Sequence, residues 1–192
     1  SSTAELAELM VGKKISKINK SSKTKKSSIL FKAVEINRTA ENEFATGLKN
    51  ISFTLKAGKI HGIAGISGNG QDELMEVLTG EWRDKKLIKK LEVNGTDIRG
   101  FSPSKRRSLG LCFVPEERNG HSSVISMKLS ENVLLTSHFM KNSVENGIIN
   151  DNFLKMESNN IIKDFDVRVP EQNPLASSLS GGNLQKFVVG RE

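Results

Sequence analysis

From Ile29 onward the chain alternates apolar and polar positions. Ile29, Phe31, Ala33 or Val34 and Ile36 predict one strand, and after a polar stretch Ile51, Phe53 and Leu55 line one face of a second. Lys56-Ala57-Gly58-Lys59 turns the chain into a shorter apolar run, Ile60, Ile63 and Ala64, which predicts a strand leading into a glycine turn. Leu74, Met75, Val77 and Leu78 then recur at helical spacing, a helix that starts at Gln71 and stops at Gly80. Leu87 to Val93 predicts a further strand, ended by the turn pair Asn94-Gly95 with a short extension at Ile98. Ser104 to Leu109 predicts a small basic helix, and Leu111 to Val114 a buried strand halted by Pro115.

Beyond Pro115 the period becomes helical. Leu129, Val133 and Leu134 predict one helix, and Leu154, Ile161, Ile162 and Phe165 a second, with a turn at Asn146-Gly147 between them. An irregular loop from Pro170 to Ser178 delivers the chain to Leu184, Phe187 and Val188, the start of a last helix. Strands first and a helical block afterwards imply an α/β unit over residues 29–192, with a helical subdomain at about 121–178. Ahead of that unit, Ser2-Thr3-Ala4-Glu5 has capping-box spacing, and Leu6, Leu9 and Met10 follow before Gly12. A helix over 1–12 is too short to be stable alone, which makes it the tail of a preceding element. Residues 13–28 read as a basic linker.

Composition sharpens this picture only in part. A hydrophobic fraction of 36% and a charged fraction of 27% are those of a soluble globular protein, and no apolar run approaches the roughly 20 residues that span a bilayer. The net charge of +7 would suit nucleic acid. Much of it, however, sits at Lys13, Lys14, Lys17, Lys20, Lys23, Lys25 and Lys26, in the serine-studded linker. Binding to single strands would also want stacking aromatics, and the chain has no Tyr and one Trp. The single Cys112 lies in an apolar run and reads as a buried, inert thiol; His61, His121 and His138 have no metal-ligand spacing.

The chemistry concentrates in two glycine motifs. Gly65-Ile66-Ser67-Gly68-Asn69-Gly70-Gln71-Asp72, between a predicted strand and a predicted helix, has the form of a phosphate-binding loop, in which inward N–H groups and a helix N-terminus make an anion site. The pattern G-x-x-x-x-G-K-[ST] is met at Gly65 and Gly70 but then reads Gln71 and Asp72, so the lysine for the β/γ-phosphates and the hydroxyl for Mg²⁺ are both missing. A dinucleotide fingerprint is excluded, because Glu73 stands where its last glycine would be. The second motif is Leu179-Ser180-Gly181-Gly182-Asn183-Leu184-Gln185-Lys186, a serine and two glycines ahead of a helix, which reads either as a second anion site or as a flexible loop with a serine cap.

Together, LSGGN after a helical block and GISGNGQ on a strand-to-helix turn resemble the nucleotide-binding domain of ABC transporters, whose signature is LSGG followed by Gln or Asn. Gly65 to Leu74 (GISGNGQDEL), Phe113 to Gly120 (FVPEERNG), Glu131-Asn132 and Leu179 to Lys186 (LSGGNLQK) look like the second, degenerate nucleotide-binding domain of tandem ATPase subunits that energise simple-sugar and nucleoside importers. The run FDVRVPEQNPLASSLSGGN leans toward the nucleoside branch, and Ala4 to Lys14 resembles the last helix of the first domain.

The resemblance implies an ABC-type P-loop domain with an antiparallel β subdomain, a partial parallel core and a helical subdomain, truncated before the strand that carries the Mg²⁺-binding Asp and catalytic Glu. It implies ATP and Mg²⁺ as cofactors, weak or absent at this loop, with Asp72 as the Mg²⁺ candidate and no catalytic residue within the chain. The signature residues are Leu179, Ser180, Gly181, Gly182, Asn183 and Gln185, Glu116 holds the Q-loop position, and Phe44 is the only candidate to stack on adenine. Gln71 would return one neutral hydrogen bond to a phosphate, and Asp72 would repel one.

The implied partners are the first nucleotide-binding domain of the same subunit, a second ABC subunit and membrane permease subunits, with no nucleic acid, at the cytoplasmic face of the membrane. The transported substrate is not legible, since the permease and binding protein select it. Two other readings stay open at this stage: a non-transport ABC ATPase in nucleic-acid or translation work, and a non-catalytic scaffold.

Overall fold

The computed structural model describes residues 28–192 apart from 41, 43, 44, 118, 119 and 141. The expected helix at 1–12, nearly all of the basic linker, and Phe44 therefore lie outside the described residues.

Strands β1 (Ile29–Arg38), β2 (Leu48–Lys56), β3 (Ile88–Val93) and β4 (Thr96–Asp97) form one antiparallel sheet in the order β2-β1-β3-β4. Phe31, Ala33 and Ile36 of β1 pair with Val93, Leu91 and Ile88 of β3, and all six are buried; the alternation is interrupted at Glu35, which has a positive φ of 48°. The β3–β4 turn is Asn94-Gly95, both with positive φ (49° and 80°), which suits a two-residue hairpin. Helix α1 (Gln71–Thr79) covers this sheet with Leu74 and Val77, and Gly80 (φ 90°) ends it as a left-handed cap.

Helix α2 (Pro103–Arg107) starts at a capping Ser102. Its Arg106 is fully buried against the first core, a fate that a helix reading as basic and exposed does not suggest.

The second half has its own core. Helices α3 (Leu129–Ser137), α4 (Asp151–Asp164) and α5 (Gly181–Arg191) enclose Leu129, Val133, Leu154, Ile161, Phe187 and Val188. A two-stranded hairpin, β5 (Val144–Glu145) and β6 (Ile148–Ile149), closes on the predicted Asn146-Gly147 turn. No helix among the described residues is long and apolar enough to cross a membrane.

Three expectations are corrected. The apolar runs at Ile60–Ala64 and Leu111–Val114 carry no strand, so the partial parallel core is not formed among the described residues. A strand exists only where a neighbour accepts and donates its ladder bonds, and no described strand runs beside either segment. Ile60, Ile63 and Ile66 are consequently left exposed. For the same reason Cys112 is exposed, not buried.

Candidate functional site

The glycine turn keeps its shape even without a flanking strand. Gly68 and Gly70 take left-handed φ values of 83° and 101°, a conformation that any side chain with a Cβ adopts at a cost. The turn is fastened from outside by the Thr46 hydroxyl, which donates to the Gly68 carbonyl at 2.9 Å, and leads into α1 through the bond from Leu74 N–H to the Gly70 carbonyl, also 2.9 Å. Asn69 N–H, inside the turn, donates to the Ile66 carbonyl (3.2 Å) and to the Gln71 side-chain oxygen (3.0 Å). The Gln71 amide nitrogen, expected to serve a phosphate, is instead committed to the Ile66 carbonyl at 2.9 Å.

Beside the turn, an open cavity of about 720 Å³ lies between α1 and the segment from Phe113 to His121. Its walls carry the carboxylates of Asp72, Glu76, Glu81, Glu116 and Glu117. Glu76 is paired with Arg38 at 2.5 Å, and Glu117 lies 3.3 Å from the His121 ring. Among the described residues, the charge on these walls is mostly negative. No group of three His, Cys, Asp or Glu side chains among the described residues is placed to hold a metal ion.

The LSGGN segment is built differently. The short 3-10 turn at Ala176–Ser178 presents Leu179, whose N–H bonds the Ala176 carbonyl (3.2 Å), and α5 begins at Gly181. Ser180 sits at the cap position, yet its hydroxyl caps nothing. It accepts a hydrogen bond from the Asn183 amide at 2.9 Å, while the Asn183 oxygen accepts from Arg168 N–H at 3.0 Å. A hydroxyl that accepts on one side keeps its own proton for another partner. Ser180, Gly181, Gly182 and Gln185 are exposed, and space around Gly182 is open. Lys186 is held to Asp166 through its main-chain oxygen (2.7 Å) and carboxylate (3.1 Å).

Glu116, expected at the Q-loop position, is exposed and lines the cavity beside α1. With Glu117 it also lines a second cavity of about 580 Å³, reaching Leu179 and Gly181. The structure thus brings Glu116 beside both glycine motifs. Sequence reasoning missed the Asn183–Ser180 and Asn183–Arg168 contacts, because Arg168 is a backbone donor from a loop that carries no pattern of its own.

The guanosine import ATP-binding protein NupO of Bacillus subtilis (strain 168) is 33% identical over 189 residues, 98% of this chain and 36% of that protein. The nucleoside import ATP-binding protein NupA of Lactococcus lactis subsp. cremoris (strain MG1363) is 33% identical over 189 residues, 98% of this chain and 37% of its own length. The ribose import ATP-binding protein RbsA of Clostridium tetani (strain Massachusetts / E88) is 30% identical over 188 residues, 97% and 35%. This chain spans about a third of the length of these curated relatives.

Among solved structures, a nucleotide-free ATP-binding cassette from an ABC transporter superposes with a TM-score of 0.62 at 20% identity, covering 85% of this chain and 64% of that one. A dimeric cassette in a post-hydrolysis state bound to ADP and Pi gives 0.62 at 17% identity, over 84% and 68%. These likenesses establish the fold: an ABC cassette with its antiparallel sheet and helical parts. With residues 48–192, well over half of the chain, matched by the model of the ABC transporter family, the chain belongs to the ATP-binding domains of that family.

Proposed function

We propose that this chain is the second, degenerate nucleotide-binding domain of an ABC importer subunit for nucleosides or simple sugars, with a domain boundary near residue 29. Its LSGGN segment acts on ATP held by another domain, and its own phosphate loop does not. In ABC dimers each ATP lies between one domain's phosphate loop and the opposite domain's signature. Ser180, Gly181 and Gly182 would face the γ-phosphate of the first domain of the same subunit, or of a second ABC subunit.

The carrying observation is the Ser180 hydroxyl, which accepts from Asn183 and so keeps its proton for an outside acceptor at the open start of α5. Hydroxyl and helix N-terminus together suit charge developing on a transferring phosphate. The residues at Gly65–Asp72 do not fit ATP with Mg²⁺. The lysine and hydroxyl are missing, the inward N–H of Asn69 is taken, and Asp72 is the only carboxylate within the turn. By itself the chain is therefore proposed not to hydrolyse ATP, but to complete a site elsewhere. Its further partners would be permease subunits at the cytoplasmic face of the membrane, whose coupling helix the groove near residues 111–130 would grip.

The test is a contrast in the full-length subunit with its transporter. Ser180→Arg fills the space facing the other domain's nucleotide and is expected to cut ATP turnover and uptake at least a hundredfold while leaving nucleotide binding at the first domain's loop within about threefold, as for a group acting on the reacting state. Gln71→Ala is expected to change turnover less than twofold. Equal damage from both substitutions, or a harmless Ser180→Arg, overturns the assignment.

A further inference from the structure

Gln71 occupies the position where a working phosphate loop carries its lysine, and its side chain turns back into the loop. Nε2 donates to the Ile66 carbonyl at 2.9 Å, and Oε1 accepts from Asn69 N–H at 3.0 Å. The two ends of the amide are assigned by chemistry: exchanging them would set NH₂ against N–H and oxygen against oxygen. A methyl group added at Gly65 would meet Nε2 at 2.6 Å, so the carboxamide is lodged against the first glycine of the turn. That is the space which inward N–H groups leave for an anion. Thr46 adds a further tie to the same turn, donating to the Gly68 carbonyl at 2.9 Å.

The geometry points to Gln71 as an internal plug: its carboxamide sits in the phosphate seat and decides that this loop refuses nucleotide. This rests on the phosphate-loop reading above and goes beyond it. A missing lysine merely removes a favourable contact, whereas a plug must be expelled before any anion enters. The two accounts differ in sign. If Gln71 were a residual phosphate ligand, removing it would weaken anion binding; as a plug, removing it strengthens binding.

The experiment titrates the whole ¹⁵N-labelled chain with Mg-ATP and, separately, with inorganic pyrophosphate, following the backbone amides of Asn69 and Gly70. Gln71→Ala is expected to bind both probes about tenfold more tightly than the unmodified chain, the size expected when two neutral hydrogen bonds no longer compete. In the unmodified chain the Nε2 proton that meets the Ile66 carbonyl is expected to exchange more slowly than its geminal partner and to lose that difference as pyrophosphate is raised, a reading that needs no variant. Equal titration of the two chains, tighter binding by the unmodified one, or equal exchange of the two Gln71 Nε2 protons overturns the plug. Gln71→Lys combined with Asp72→Ser restores the lysine and the hydroxyl. If that pair gains affinity while Gln71→Ala does not, the plug falls and the phosphate loop stands. If neither gains, the phosphate-loop reading falls and the plug with it.

Discussion

Arg106 brings a charge into the first core with no carboxylate to meet it. It is 0% exposed, and its guanidinium donates to the carbonyls of Val77 (2.6 Å), Leu78 (2.8 Å), Ile98 (3.0 Å) and Phe101 (3.1 Å). Val77 and Leu78 lie in the last turn of α1, where unpaired carbonyls carry the negative end of the helix dipole, so the cation completes a helix end as much as it fills space. Burial pushes its pKa down to about 10, which still leaves it charged at neutral pH. Arg106→Met would keep much of the volume but strand these carbonyls in an apolar setting, at about 1–3 kcal/mol for each that finds no water. The expected loss is about 3 kcal/mol or more, read as a lower midpoint in urea unfolding. Arg106→Lys is expected to restore less than half, since an ammonium cannot span the same fork. A Met variant as stable as the native chain would show that water replaces the guanidinium without loss.

At the scale of elements, α5 packs closely on the end of α4 at Gly190. A Cβ there would meet Phe165 Cδ2 at 2.6 Å and Ile161 Cγ2 at 2.8 Å. Overpacking of this kind costs about 1–3 kcal/mol, whereas Ala in place of a helical Gly returns about 1 kcal/mol. Gly190→Ala should therefore come out near neutral, the half-exposed Phe165 ring moving aside, while Gly190→Val should lose about 2 kcal/mol and several degrees in Tm by calorimetry. A Val variant with unchanged Tm would mean that the helices separate freely. Most elements were legible because their signals are local: the alternation in β1 and β3, the Asn94-Gly95 and Asn146-Gly147 turns, and the 3.6-residue period of α1, α3 and α4 each act within a few residues. What was not legible depends on partners distant in sequence. Ile60–Ala64 and Leu111–Val114 have strand composition, but composition cannot supply the neighbouring strand that a ladder requires. Within the candidate site, the motifs could be read from residue types alone, whereas the inward turn of the Gln71 amide and the Asn183 bond to Ser180 are matters of side-chain rotation.

Among the described residues two cores form, and a polar cluster lies where their elements meet. Helix α1, which follows the glycine turn, belongs to the first core and the LSGGN helix α5 to the second. Between them the Glu192 carboxylate, 3% exposed, accepts from Arg107 of α2, from Phe113 N–H at 3.4 Å, and from Arg191 at 2.8 Å. Arg191 also donates to the Asn132 carbonyl in α3 at 3.3 Å. Burial holds the Arg191 guanidinium below its ordinary pKa, and Glu192 works against that shift. Removing the shared anion leaves two cations facing each other in low dielectric, and breaking a buried pair in this way costs about 3–5 kcal/mol. Because the cluster belongs to neither core alone, Glu192→Ala should weaken the coupling between the halves more than either half itself. Trp82, the chain's one tryptophan, packs on the first core and reports its unfolding by fluorescence, while helical ellipticity is weighted toward the second half. In the native chain the two signals are expected to change together in urea; in Glu192→Ala they should separate into two transitions, the sign that two-state behaviour has been lost. Coincident transitions at a lower midpoint would show that apolar contact, and not the Glu192 cluster, makes the two cores one cooperative unit.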